Sequence, residues 1–211
     1  MQLTIIYDNT TQNEALAPDW GFACRVEAHG RTILFDTGAK GSLLLDNMKK
    51  LGMNPGSFDE IFISHDHWDH TGGLADFLAL NPVSCFIPEA FTTPAGPSPI
   101  RIGTAAQQIH DGIWSTGTLA GIEHSLVIAE KDKVIVVAGC SHPGVESILE
   151  AAGRIGRVSA LIGGLHGFNR LQALRGLDLV CPTHCTQHIR EIAGEYPDIY
   201  TAGGAGVSLT L

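Results

Sequence analysis

Six consecutive residues, His65-Asp66-His67-Trp68-Asp69-His70, set three imidazoles and two carboxylates side by side. In an extended segment residues two apart project to the same side, so His65 and His67 can converge on one cation. A turn into a following helix would swing Asp69 and His70 toward a second cation. A separation of about 3.5 to 4 Å would then match two-metal hydrolases. Asp66 and Trp68, at the intervening positions, point elsewhere. The competing reading is a solvated polar loop with incidental histidines, but apolar packing gives no reason for so many metal-ligand side chains to gather there.

Such a centre needs further donors from distant parts of the chain. Gly139-Cys140-Ser141-His142 and Pro182-Thr183-His184-Cys185 each follow an apolar strand-like run, as the first cluster does. His166, in Gly163-Gly164-Leu165-His166, follows a third, although one histidine after glycines also suits a surface loop. Asp36 ends the run Thr32 to Phe35. It is a helix N-cap, or it orients a ligating imidazole by hydrogen bonding. Cys140 and Cys185 flank His142 and His184. Cysteine is a good soft ligand, yet small buried packing is its commoner role. His29, His110, His124 and His188 fall outside the pattern and are expected at the surface.

These groups must be positioned by a regular framework. Leu3 to Tyr7, Phe22 to Ala28, Thr32 to Asp36 and Ile61 to Ser64 read as strands, with a tight turn at His29-Gly30. Ser42 to Leu51 has helical spacing and stops at Gly52, and a helix opened by Thr71-Gly72-Gly73 runs through Leu80. Val83 to Ile87 returns as a strand. From Pro88 to about Gly121 the pattern dissolves into Pro, Gly, Thr and Ala, and a loop of that length suggests a lid. Ser125 to Glu130 and Lys133 to Val137 form a hairpin turning at Lys131-Asp132. Val145 to Ala152, Ser159 to Ile162, Asn169 to Arg175, Leu179 to Cys181, Ile189 to Tyr196 and Val207 to Leu211 continue as helices and strands. The expected architecture is one α/β domain over residues 1–211, with two sheets face to face and helices outside.

Composition narrows the function classes. The 211 residues carry 13 Lys and Arg against 22 Asp and Glu, a net charge of −9, with 44% hydrophobic residues and ten His. That balance disfavours nucleic acid, because a negative surface repels phosphate backbones. No apolar stretch suits a signal peptide or a membrane span, and five scattered cysteines fit a reduced compartment, so the expected location is the cytoplasm. A small-molecule substrate is expected, with no nucleic-acid or membrane partner; a homo-oligomer is left open.

Taken in order, Asp36-Thr37-Gly38, the His65 to His70 cluster with Thr71-Gly72-Gly73, His142 and His184 resemble the metallo-β-lactamase superfamily over nearly the whole chain. Asp8-Asn9, Gly139 to Gly144, and Gly163 to His166 with Pro182 to Thr186 are similar to its dihydropterin-methyl-ribofuranosylaminobenzene-phosphate synthase branch. The resemblance implies an αββα sandwich and two divalent metal ions, zinc first, with manganese or iron as alternatives. It implies that His65, His67 and His142 hold one metal and Asp69, His70 and His184 the other. One departure matters: the bridging Asp of many members is absent, since Asp178 lies too close to His184. His166 stands about where that group is expected, so it either replaces it as a ligand or leaves the metals bridged by solvent. Asp8 and Glu123 line the site only by this resemblance.

The expected activity is that of a metal-dependent hydrolase, in which a metal-bound hydroxide attacks a small anionic substrate; the branch resemblance implies a phosphorylated, pterin-like or nucleotide-like one. Asp69 would be ligand and proton acceptor, and His166, if not a ligand, the proton donor. Trp68 and Arg101 are candidate substrate contacts, through stacking and phosphate binding, and Trp114 is a second stacking candidate. Two other classes compete on the same framework. One is an iron-dependent oxidoreductase of the thiol dioxygenase type, and the other a non-catalytic metal-binding or sensor module.

Overall fold

A computed structural model describes all residues 1–211. The chain runs through β1 (Gln2–Tyr7), β2 (Ala23–Ala28), β3 (Arg31–Phe35), α1 (Gly41–Lys50), β4 (Glu60–Phe62), α2 (Trp68–Thr71), α3 (Leu74–Leu80) and β5 (Ser84–Pro88). It continues with β6 (Pro99–Ile102), β7 (Gln107–His110), β8 (Ile113–Ser115), β9 (Leu126–Glu130), β10 (Lys133–Ala138), α4 (Val145–Gly153) and β11 (Arg157–Gly164). Last come β12 (Leu179–Thr183), α5 (Ile189–Glu195) and β13 (Ser208–Thr210). One sheet has the order β13-β1-β2-β3-β4-β5-β6 and the other β12-β11-β10-β9-β8-β7.

Strand alternation builds the layers. In β10, Ile135 and Val137 enter the core between the sheets, while Val134 and Val136 face outward against Ile148 of α4 and Ile192 of α5. In β3, Ile33 and Phe35 point inward, and Leu34 packs with Leu44 and Met48 of α1 and Phe77 of α3. Period-two patterning thus buries both faces of each sheet and gives the order helix, sheet, sheet, helix. A bulge in β1 between Ile5 and Tyr7 turns Ile6 and Tyr7 to the same outer layer.

Several expectations need correction. The 88–121 segment is no structureless lid, because β6 extends the first sheet and β7 and β8 extend the second. Pro99 can open β6 because β6 is an edge strand, where a missing N–H costs no ladder bond. The helix expected from Thr71 starts at Trp68 and breaks before Leu74. Its glycines serve close approach: a Cβ on Gly72 would sit 2.0 Å from the Ala39 carbonyl oxygen, and one on Gly73 2.4 Å from that of Thr37. Residues 169–175 form only a 3₁₀ turn, Leu171–Leu174, whose two leucines are buried. His124 is fully buried rather than at the surface. Its Nε2 donates to the Ile63 carbonyl at 2.8 Å, its Nδ1 lies 3.0 Å from the Ser115 hydroxyl, and its ring stacks on Phe62.

β3, β4, β5 and β6 run parallel, as do β10, β11 and β12. Parallel strands bring their C-terminal ends to one edge of the molecule, the usual place for a site in such sheets. Asp36 follows β3, His65 to His70 follow β4, His142 follows β10, His166 follows β11 and His184 follows β12. No helix is long and apolar enough to cross a membrane.

Candidate metal centre

The loop after β4 turns sharply into α2, and this turn sets the first four side chains. The rings of His65 and His67 lie with centroids 4.5 Å apart, and each is 4.8 Å from the ring of His142. His65 is buried, His142 half-buried and His67 exposed at the mouth. Beside them, His70 lies 4.2 Å from His65 and 5.0 Å from His184, centroid to centroid. Asp69 Oδ2 is 3.3 Å from Nε2 of His184. The six residues expected as ligands are therefore gathered at one sheet edge.

Hydrogen bonds fix which imidazole atoms remain free. The Ser64 hydroxyl donates to Asp36 Oδ2 at 2.7 Å, so its oxygen accepts from Nδ1 of His65 at 2.9 Å. The lone pair of His65 then lies on Nε2, which faces Nδ1 of His67 at 3.0 Å. Asp36 also takes Nδ1–H of His70 at 2.7 Å, and Asn9 Oδ1 takes Nδ1–H of His184 at 2.9 Å. A carboxylate or amide oxygen behind an imidazole orients the ring and raises its basicity toward a cation. Asp36 thus sits behind His70, at a left-handed φ of 54°, and caps no helix.

Electrostatics agree with this arrangement. Burial, then the neighbouring imidazoles, push His65 well below its ordinary value, and burial and His67 push His142 down to about 4. Burial tends to raise Asp69, but the hydrogen bond with His184 and the charges of His70 and His184 outweigh it and hold the carboxyl below the usual range. Nε2 of His142 is buried without any hydrogen-bond partner, and Nε2 of His184, also buried, faces Asp69 Oδ2 at 3.3 Å. Unpartnered buried nitrogens are costly in a native fold. A set of imidazoles and one carboxylate is the donor chemistry of zinc-type cations, so these residues fit a divalent metal.

The other expected residues sort by place. His166 is exposed, with its ring 5.1 Å from that of His142 and outside both close groups of donors. Trp68 is exposed at the start of α2. Arg101 is exposed on β6 and donates to the Glu89 carbonyl. Trp114 packs on the outer apolar layer of the second sheet. Asp178 pairs with Lys133 and Arg157 at the surface. Asp66 does point elsewhere, accepting from Thr92 and Thr93 and so tying the 88–121 segment down beside the site.

Sequence patterns pass over Trp20, and they name Asn9 only within the Asp8-Asn9 pair of the resemblance, without a role. Trp20 donates its indole N–H to Asp69 Oδ2 at 2.8 Å, and Asn9 holds both the ring and the backbone carbonyl of His184. Neither contact has a local signature, since the partners lie 49 and 175 residues away. Asp8 and Glu123, attached to the site only by resemblance, are buried beside it. Asp8 Oδ1 accepts the amide of His184, and burial raises its carboxyl to about 6 against those amide bonds.

Comparisons with known proteins match this geometry. Residues 22–90 match the family model of the metallo-beta-lactamase superfamily. A curated relative, the 7,8-dihydropterin-6-methyl-4-(beta-D-ribofuranosyl)-aminobenzene-5'-phosphate synthase of Methanocaldococcus jannaschii, is 28% identical, with 78% of this chain and 79% of the relative covered. A metal-dependent hydrolase of the beta-lactamase superfamily has the same fold, with a TM-score of 0.80, 22% identity, and 100% of this chain and 99% of that one covered. A diphosphatase of the PhnP family gives a TM-score of 0.65 at 14% identity, covering 100% and 97%. The resemblance read from the motifs, and the αββα class it implies, are borne out.

Proposed function

We propose that this chain, which carries the metallo-β-lactamase fold, is a metal-dependent hydrolase of small phosphorylated molecules with a pterin-like or nucleotide-like ring. The observation that carries the reading is the convergence of His65, His67, His142, His70, His184 and Asp69 at one edge, with a buried unpartnered Nε2 on His142 and Nε2 of His184 facing Asp69. Two divalent cations, zinc first, would supply Lewis acidity and a water acidified to about neutral pKa.

The chain's own groups supply the rest. Asp69 is ionised and held between Trp20 and His184, so it can take a proton without first losing one. His166, exposed beside His142, would return a proton to the leaving group. Three hollows adjoin the centre. One, of about 170 Å³, lies between His65, His67, Phe91 and Ile122, and its apolar wall suits a ring. A second, of about 300 Å³, is lined by His142, His166, Phe168 and Arg170, whose guanidinium pairs with Glu146 of the same wall. A third, of about 220 Å³, is lined by Asp8, Asn9, Thr10 and His184. The phosphate in the name of the curated relative supports the substrate class. The −9 charge supports a small molecule over nucleic acid.

The test is metal analysis of protein grown with zinc, manganese or iron, joined to a screen of phosphodiesters, cyclic nucleotides and phosphomonoesters. Two metals per chain and chelator-sensitive hydrolysis are expected, with kcat at least 100-fold lower in Asp69→Asn. Far less than one metal per chain would end the proposal.

A further inference from the structure

Cys140 is the one residue whose donor atom belongs to both close groups of the centre. Its Sγ lies within 4.8 Å of ligand nitrogens of His65 and His142, and equally of His70 and His184. Nε2 of His70 is 3.1 Å away. The side chain is buried, yet it belongs to none of the three apolar clusters. Cys24 and Cys181 lie in the layer between the sheets, and Cys85 lies in the layer beneath α1 and α3. Packing as a small hydrophobe accounts for those three cysteines and not for this one.

A second observation points the same way. Nε2 of His142 is buried and has no hydrogen-bond partner, although Cys140 Sγ lies in the same group of donors. The backbone that carries Cys140 is also held in place. The Glu123 carboxylate accepts the four successive amides of Gly139, Cys140, Ser141 and His142 at 2.9 to 3.1 Å. A Cβ on Gly139 would stand 2.1 Å from the Ser64 hydroxyl, so this strand end closes directly on the loop that bears His65. Cys185 is placed differently: its Sγ is directed at the Cys140 carbonyl, 3.9 Å away, and it joins neither group.

We propose that the Cys140 thiolate is the ligand shared by the two cations, one held with His65 and His142 and the other with His70 and His184. It would supply a bridging negative charge in place of the absent bridging Asp, Asp178 being paired at the surface. On binding, the S–H bond is replaced by bonds from sulphur to metal, and the proton passes to solvent. A thiolate favours zinc, cobalt or iron over manganese and magnesium. This inference rests on the metal-dependent reading above.

The test loads metal-free protein with cobalt(II) and, separately, with zinc. Thiolate-to-cobalt charge-transfer absorption is expected in the wild type and in Cys185→Ser, and should vanish in Cys140→Ser while the visible cobalt bands of the histidine ligands persist. X-ray absorption on zinc-loaded wild type, which requires no variant to fold, should show a sulphur shell at about 2.3 Å with one sulphur per zinc. Cobalt bands without charge transfer, charge transfer surviving Cys140→Ser, or half a sulphur per zinc would each overturn the shared thiolate and leave the hydrolase reading standing. Failure to bind either metal would end both.

Discussion

Asp36 Oδ2 lies 2.7 Å from Nδ1 of His70, and both side chains are fully buried. The same carboxylate takes the amide and hydroxyl of Ser64, and through Ser64 it holds His65. One acid on β3's end therefore sets the orientation of two imidazoles on the loop after β4.

Asp36→Asn tests that relay. Asparagine tolerates the left-handed φ of 54° found here, so the backbone survives the change. The amide end, however, offers a donor where Ser64 and His70 need an acceptor. Zinc affinity should fall about 10- to 100-fold, read by competition with a chelator of known strength. An unchanged affinity in a folded variant would show that Asp36 does not orient the rings.

Trp20→Phe removes the N–H that holds Asp69 while keeping an aromatic ring near His184. A hydrogen bond to a charged group contributes about 1.5–3 kcal/mol, so kcat/KM should drop about 10- to 100-fold. Trp20 is half-exposed beside the centre, so metal addition should also change tryptophan fluorescence in the wild type and do so much less in the variant. A variant with full activity would place Trp20 outside the machinery.

His124 gives a pH dependence independent of any metal. Burial lowers its pKa from the ordinary 6.5 to about 3, so the folded protein keeps it neutral. Above pH 6.5 both states are neutral and nothing is lost. As pH falls from 6.5 toward 3 the unfolded chain gains a proton that the fold refuses, so stability falls, by up to about 1.4 kcal/mol per pH unit. Urea unfolding of chelator-treated His124→Gln should start less stable at pH 7.5 and lose less by pH 5 than wild type does. Parallel curves would refute the assignment.

What the sequence revealed depended on how local each signal was. His65, His67, Asp69 and His70 are spaced within one turn, and strand-ending motifs placed His142, His184 and Asp36 at the same edge. β6 and β7 escaped because they are short, mostly exposed strands of the two sheet edges, where alternation of apolar residues is lost. His124 lacked any pattern that would mark it as buried, since its partners Ile63 and Phe62 come from β4 and the loop after it. Trp20 acts through the chain's folding back on itself, which no window of neighbouring residues records, and Asn9 is legible only as half of the Asp8-Asn9 pair, without its bond to His184.

The two sheets meet at the site edge from opposite sides. His65, His67, Asp69 and His70 hang from the first sheet, while Cys140, His142 and His184 hang from the second. Cations held between them would act as a removable rivet across the sandwich, absent from the unfolded chain. Each would then add RT ln(1 + [M]/Kd) to stability, about 4.1 kcal/mol at a thousandfold excess over Kd. Metal supply in the cell would set how long the folded chain survives, as well as how fast it works.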